Sequence, residues 1–257
     1  MNNNSINVLV ISSCNGEKKY YPDNKALARD LDDIFLRQKK EDELKSYKTE
    51  AHEMFISLQN KTIIESINLL NKDNVNIDLC FISSGYGLLN FNDEVIPYDI
   101  NLSAFSMYDL DKRSSFLRIH EEVYYKSKNY NLIIFLLGYE YLRMLKLPIK
   151  LEPNIKQIFF ISPSDEKVLP DEKDFFIVKT GNEEASRYNI TPSELKGFIF
   201  KSICLENKRE NVFKKIHDNP EYINKIMKKY IKKAVAPPDQ LNLFSNQKQM
   251  SLFDLND

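Results

Sequence analysis

The chain has 257 residues, 42% of them hydrophobic and 12% aromatic, enough to bury a sizeable core and few enough for one or two domains. Its formal net charge of −1 gives no overall attraction for phosphate, and neither a run of about eighteen apolar residues nor an apolar leader behind residues 1–5 is present, so the reading is cytoplasmic with no membrane partner. Cys14, Cys80 and Cys204 lack CxxC spacing, which excludes a disulfide framework and a cysteine-based zinc site.

Taken in chain order, Asn7-Val8-Leu9-Val10-Ile11-Ser12 is a continuous β-branched run that ends at Ser13-Cys14-Asn15-Gly16, as expected of a strand buried on both faces. Residues 24–70 are charged, with apolar positions at helical spacing, and predict two or more amphipathic helices. Further strands are predicted over Ile77-Asp78-Leu79-Cys80-Phe81-Ile82-Ser83, Leu132-Ile133-Ile134-Phe135-Leu136-Leu137 and Gln157-Ile158-Phe159-Phe160-Ile161. Strands alternating with helices give an α/β fold: a single mixed or mostly parallel sheet flanked by helices.

Gly181-Asn182-Glu183-Glu184-Ala185 opens a short helix, and Thr191-Pro192-Ser193-Glu194 carries a capping box with proline in the first turn. The expected organisation is an α/β domain over residues 1–205, a basic helical segment over 206–236 and a disordered tail over 237–257, entered through Pro237-Pro238. Residues 208–233 hold nine Lys or Arg against three acids, a local excess of about +6. One helical face of that segment is apolar. The other, with Lys214, Lys215, Lys228 and Lys229, is either a plain solvated surface or a phosphate-contacting one.

In such folds ligands bind beyond the carboxyl ends of the strands. The clusters following each strand therefore supply the candidate site: Ser13, Cys14, Asn15, Glu17 and Lys18; Ser84, Gly85, Tyr86 and Gly87; Gly138, Tyr139 and Glu140; Ser162, Pro163 and Ser164. The bland reading of the Gly-x-Gly is a strand-to-helix turn with a packed tyrosine. Cys14 is either an inert buried thiol or a thiolate favoured by a following helix. His52, His120 and His217 stand at no metal-ligand spacing and read as solvated surface residues, so neither metal nor organic cofactor is expected.

The stretch Phe81-Ile82-Ser83-Ser84-Gly85-Tyr86-Gly87-Leu88-Leu89, followed by Asp93-Glu94-Val95-Ile96-Pro97-Tyr98-Asp99, resembles the YaaA-like family, known from a peroxide-stress protein and from relatives near DNA-modification genes. The matching positions are Ser83, Tyr86, Gly87, Leu88, Leu89, Pro97, Tyr98 and Asp99. Leu137-Gly138-Tyr139-Glu140-Tyr141-Leu142 and Leu195-Lys196-Gly197-Phe198 support them, and the likeness spans residues 6–204. It implies a single α/β domain with a positively charged cleft, DNA binding and chemistry directed at modified bases.

For a DNA glycosylase the chemistry needs an aromatic to stack on an extruded base, donors to read its edge and a carboxylate. Tyr86 and Tyr98 are the stacking candidates, with Asn15 and the amides of Gly85 to Gly87 reading the base. Asp99 or Glu17 is the carboxylate, and Lys18 and Lys196 contact phosphate or, for Lys18, act as nucleophile. Asp99 has an alternative role as a helix N-cap.

Two tail peptides, Gln240-Leu241-Asn242-Leu243-Phe244 and Gln249-Met250-Ser251-Leu252-Phe253, resemble the pentapeptide that docks bacterial polymerases and repair proteins on the DNA sliding clamp. Leu243 with Phe244, and Leu252 with Phe253, would fill the clamp's apolar pocket while Gln240 and Gln249 bind its rim. Alternatively the apolar residues pack on the protein itself. The expectation is a monomeric, nucleoid-associated protein whose partners are DNA and a bacterial-type clamp. It is a DNA N-glycosylase-type hydrolase for modified or damaged bases, or a non-catalytic DNA-binding protein of the oxidative-stress or DNA-damage response.

Overall fold

A computed structural model describes residues 5–14, 17–70, 75–170, 175–208 and 210–234. The chain runs β1 (Ile6–Ser13), α1 (Ala28–Asp32), α2 (Ile34–Glu43), β2 (Thr49–Glu50), α3 (Ala51–Met54), α4 (Leu58–Asn68), β3 (Val75–Ser83), β4 (Gly87–Asn90) and β5 (Glu94–Val95). It continues through α5 (Met107–Phe116), α6 (Ile119–Ser127), β6 (Leu132–Phe135), α7 (Tyr139–Met144), β7 (Lys156–Ile161), β8 (Phe175–Lys179), α8 (Asn182–Ser186), α9 (Pro192–Asn207), α10 (Val212–Asp218) and α11 (Tyr222–Ala234).

Six strands form one mixed, mostly parallel sheet in the order β4-β3-β1-β6-β7-β8, and β2 pairs with β5 in a two-stranded ribbon. All neighbours in the main sheet are parallel except β4, which turns back antiparallel on β3. The central strands are apolar along their whole length because helices cover both faces: all four residues of β6 and seven of eight in β1 are buried. Among the parallel strands, chain order 1 to 5 becomes spatial order 2-1-3-4-5, so the winding reverses between β1 and β6.

Besides the α1–α2 pair, the helices form two larger groups, one centred on α9, which contacts α4, α8, α10 and α11, and one on α5, which contacts α6 and α7. Right-handed crossovers put these groups on opposite faces. In α9 the Glu194 carboxylate accepts the Thr191 N–H at 2.9 Å, with Pro192 in the first turn, as the capping pattern predicts.

Three expectations need correction. The Ser84–Gly85–Tyr86 turn leads into β4, a hairpin strand, and not into a helix. β8 was not foreseen, although Phe175-Phe176-Ile177-Val178 is strand-like in composition. The boundary at residue 205 falls inside α9, and Phe213, Ile216, Ile223, Ile226 and Tyr230 belong to the same buried cluster as β1 and β6. The basic segment is therefore part of the one core. Among the described residues no helix is long and apolar enough to cross a membrane.

Candidate functional site

A crevice of about 260 Å³ opens at the carboxyl ends of β1, β3 and β6, where the winding reverses. It is lined by Cys14, Lys18, Ser84, residues 99–103, Glu140 and Tyr141. Its floor is tied together by the first turn of α4. Gln59 Nε2 donates to Ser12 Oγ and to the Leu136 carbonyl, both at 3.0 Å. The fully buried Asn60 accepts from Ser12 Oγ at 2.7 Å and donates to the Ser13 carbonyl at 3.1 Å. Ser13 itself is buried at the end of β1. Beyond it the Cys14 N–H bonds to the Ile82 carbonyl at 3.0 Å, which holds the loop against β3.

Ser83 organises the β3–β4 turn. Its Oγ accepts the N–H groups of Gly85 at 3.2 Å and Tyr86 at 3.0 Å, and lies 2.7 Å from Tyr98 Oη. The Gly85 and Tyr86 amides are thus spent inside the protein, contrary to the base-reading expectation. A Cβ on Gly85 would meet Leu31 Cδ1 at 2.7 Å, so the close approach this glycine permits is to the protein's own side chain. Gly87, at φ +81°, starts β4 in a backbone conformation that favours glycine.

Tyr98 is 1% exposed, flanked by Phe55 and Tyr86, with the Lys18 ammonium 4.6 Å from its ring centroid. Burial, reinforced by the neighbouring Cys14 and Tyr141, pushes its phenol well above the usual value. Neither stacking on a base nor proton transfer is open to it, which corrects the catalytic assignment. The half-buried Tyr86 ring lies under the Arg37 guanidinium at 4.5 Å, its Oη accepts the Ile96 N–H at 3.4 Å, and burial lifts its phenol to about 12. Its face is occupied as well.

Cys14 is 2% exposed, with Sγ 3.1 Å from Tyr141 Oη and 3.7 Å from Ser84 Oγ. The next helix in the chain, α1, begins only at Ala28, so the loop that holds the thiol does not lead directly into a helix. Burial, then the thiol, raises the Tyr141 phenol well above its usual value. Ser84 is equally committed: its N–H bonds to Cys14 Sγ, its Oγ to the Ile100 carbonyl, and its carbonyl accepts from Arg113 Nε at 2.9 Å.

What faces the crevice with charge is Lys18, Asp99 and Glu140. The Asp99 side chain is 59% exposed, 3.8 Å from Lys25 Nζ, and caps no helix. The cap belongs to Asn101, whose Oδ1 accepts the Ser103 N–H at 3.1 Å and opens the short 3-10 turn Leu102–Ala104. Glu17 is exposed and does not line the crevice.

Compared with family models, curated proteins and solved structures, the chain matches none.

The remaining candidates are dispersed. Lys196 turns its ammonium inward onto the Leu137 carbonyl, and burial pulls its pKa down to about 8 against partial support from Asp165. It is no surface phosphate contact. In the basic segment Lys214 pairs with Asp218, Lys215 with Glu210 and Lys229 with Glu206, while Lys228 is exposed. The three histidines, expected to be solvated, are half-buried: His52 stacks on Phe91 at 4.0 Å, His120 Nδ1 lies 2.8 Å from the Leu145 carbonyl, and His217 Nε2 lies 3.0 Å from the Asn154 carbonyl. Asn15 and both tail peptides, from Gln240 to Phe244 and from Gln249 to Phe253, lie outside the described residues.

Sequence reasoning missed Tyr141, Asn101 and Ser103 as lining residues. Glu140 stands in the post-strand cluster Gly138-Tyr139-Glu140 that the sequence points to, but the carboxylate role was assigned there to Asp99 or Glu17. Asn101-Leu102-Ser103 had only the signature of a local turn.

Proposed function

We propose that the chain acts on DNA, cleaving the N-glycosidic bond of a modified or damaged nucleotide held in the crevice. The supporting observation is the pair of carboxylates, Asp99 and Glu140, that line the same 260 Å³ space as Lys18. That volume suits a single nucleoside rather than a larger ligand. As the bond breaks, its electron pair leaves with the base and the sugar becomes an oxocarbenium ion. One carboxylate stabilises that charge and the other takes a proton from the water that attacks the sugar. Lys18 neutralises a flanking phosphate. Ile100 and Leu102, not Tyr98, supply the apolar wall for the base. The resemblance to the YaaA-like family points the same way.

The two tail peptides extend the reading to recruitment by a bacterial-type sliding clamp. Each peptide loses conformational entropy on docking, so single affinities are modest and duplication raises the chance of rebinding.

The test is incubation of the full chain with DNA carrying oxidised and bulky modified bases, followed by detection of abasic sites. Asp99→Asn or Glu140→Gln lowers the rate by about 100-fold or more. Absence of base release from every substrate, or full activity in both variants, overturns the proposal. Deleting residues 237–257 abolishes clamp capture in a pull-down, and persistence of capture refutes the recruitment reading.

A further inference from the structure

A second cavity, of about 190 Å³, is lined by Ser114, Ser115, His120, Glu121 and Lys146. It stands in a defined relation to the crevice. The loop of residues 99–103 leads into α5, and Glu140 and Tyr141 begin α7. The same two helices end at the second cavity, α5 with Ser114 and Ser115 and α7 just before Lys146. They run side by side, joined by the Arg143–Asp111 ion pair at 2.8 Å and by Ser114 Oγ donating to the Met144 carbonyl at 2.5 Å. From Glu140 at the crevice to Lys146 at the second cavity the chain runs through α7, a rise of about 9 Å.

The chemistry of the second cavity is cationic on one wall. Lys146, at φ +51°, directs its ammonium to Ser115 Oγ at 2.5 Å, and Ser115 in turn donates to the Asp111 carbonyl at 3.0 Å. One ammonium proton is used there. Among the described residues no carboxylate lies within ion-pair distance of Lys146, which leaves its remaining protons for a ligand. The Leu145 carbonyl can only accept, so His120 carries a proton on Nδ1 and points its other ring nitrogen away from that bond. Protonation turns that nitrogen into a second donor. Glu121 is the opposing charge, exposed at the rim.

We propose that this cavity is a phosphate subsite, with Lys146 and His120 holding a phosphodiester of the strand whose base occupies the crevice. The inference rests on the function proposed above. A spacing of about 9 Å matches two or three nucleotides of a strand stacked at about 3.4 Å per base. The subsite thus reads strand length and polarity, not sequence.

Titration of the full chain with inorganic phosphate, a thymidine mononucleotide and a thymidine hexanucleotide, followed through the His120 ring signals by NMR, tests the assignment. The hexanucleotide binds about tenfold or more tightly than the mononucleotide. Lys146→Gln abolishes that gain, Lys146→Arg keeps it, and Glu121→Gln increases it. A His120 response to the hexanucleotide but not to inorganic phosphate identifies the strand as the source, and a response to both identifies a general phosphate site. An unchanged length dependence in Lys146→Gln with a native circular dichroism spectrum, or silent His120 signals with every probe, overturns the proposal. A His120 response in a protein that releases no base from any DNA supports the subsite while overturning the base-releasing reading.

Discussion

Lys196 carries an ammonium into an apolar setting, and the sign of the consequence can be worked out. Its native pKa, about 8, lies below the ordinary lysine value of 10.5. Below about pH 8 both native and unfolded chains hold the proton, and the full cost of burying the charge is present. Between about 8 and 10 the unfolded chain keeps the proton while the native one releases it, so stability rises with pH. Urea denaturation across that window shows the rise in the parent chain and its loss in Lys196→Met. A flat difference between the two contradicts the buried assignment. Gly87 offers a simpler test: at φ +81°, with the Leu117 carbonyl 3.0 Å from where a Cβ would stand, Gly87→Ala costs about 1–2 kcal/mol or more in the same assay. At this scale the sequence was only partly legible. Ser83, Tyr86 and Tyr98 announce themselves as a unit, but whether a tyrosine ring faces a ligand or its own core depends on Phe55, Leu31 and Arg37, which arrive from a distant segment.

Among the elements, the first turn of α4 does more than cover the sheet. Asn60 is buried and satisfies groups on β1 from both ends of its amide. Asn60→Ala strands the Ser13 carbonyl and removes the acceptor of Ser12 Oγ. It is expected to cost about 2–4 kcal/mol in chemical denaturation, whereas the exposed neighbour variant Lys61→Ala changes stability by less than about 0.5 kcal/mol. The strands that sequence found, β1, β3, β6 and β7, are those buried on both faces, where continuous apolar runs leave a clear trace. In the main sheet the ones it missed lie at the edges. β4 has only Gly87-Leu88-Leu89-Asn90 to mark it, and β8 buries a single residue, Val178.

For the whole molecule, a continuous core joins the sheet to the C-terminal helices. Phe200 of α9 packs 6.5 Å from Phe213 of α10, and Val212, Ile216, Ile223 and Ile226 are buried beside them. At about 1.5–3 kcal/mol for each large apolar side chain, their joint loss rivals the 5–15 kcal/mol that holds an ordinary domain together. A chain ending at residue 205 is therefore expected to lack a cooperative thermal transition. A sharp transition in that fragment would restore the two-part division that the charge pattern suggested. The charge pattern misled because it averages over faces: Lys214, Lys215 and Lys229 meet Asp218, Glu210 and Glu206, acids that a count along the chain does not place opposite them.

The hydroxyl of Ser83, shared among two amides and a buried phenol, has a bearing on how this protein could acquire new specificity. Variants in the most recognisable stretch, residues 83–98, are filtered by folding before any ligand is met. Inactivity there reports a collapsed turn and says nothing about chemistry. Residues 99–103 form one wall of the crevice, and their side chains at Asp99, Asn101 and Ser103 are exposed. A library selected for altered substrate preference should accumulate its substitutions at residues 100–103 while leaving Asp99 and the signature before it untouched.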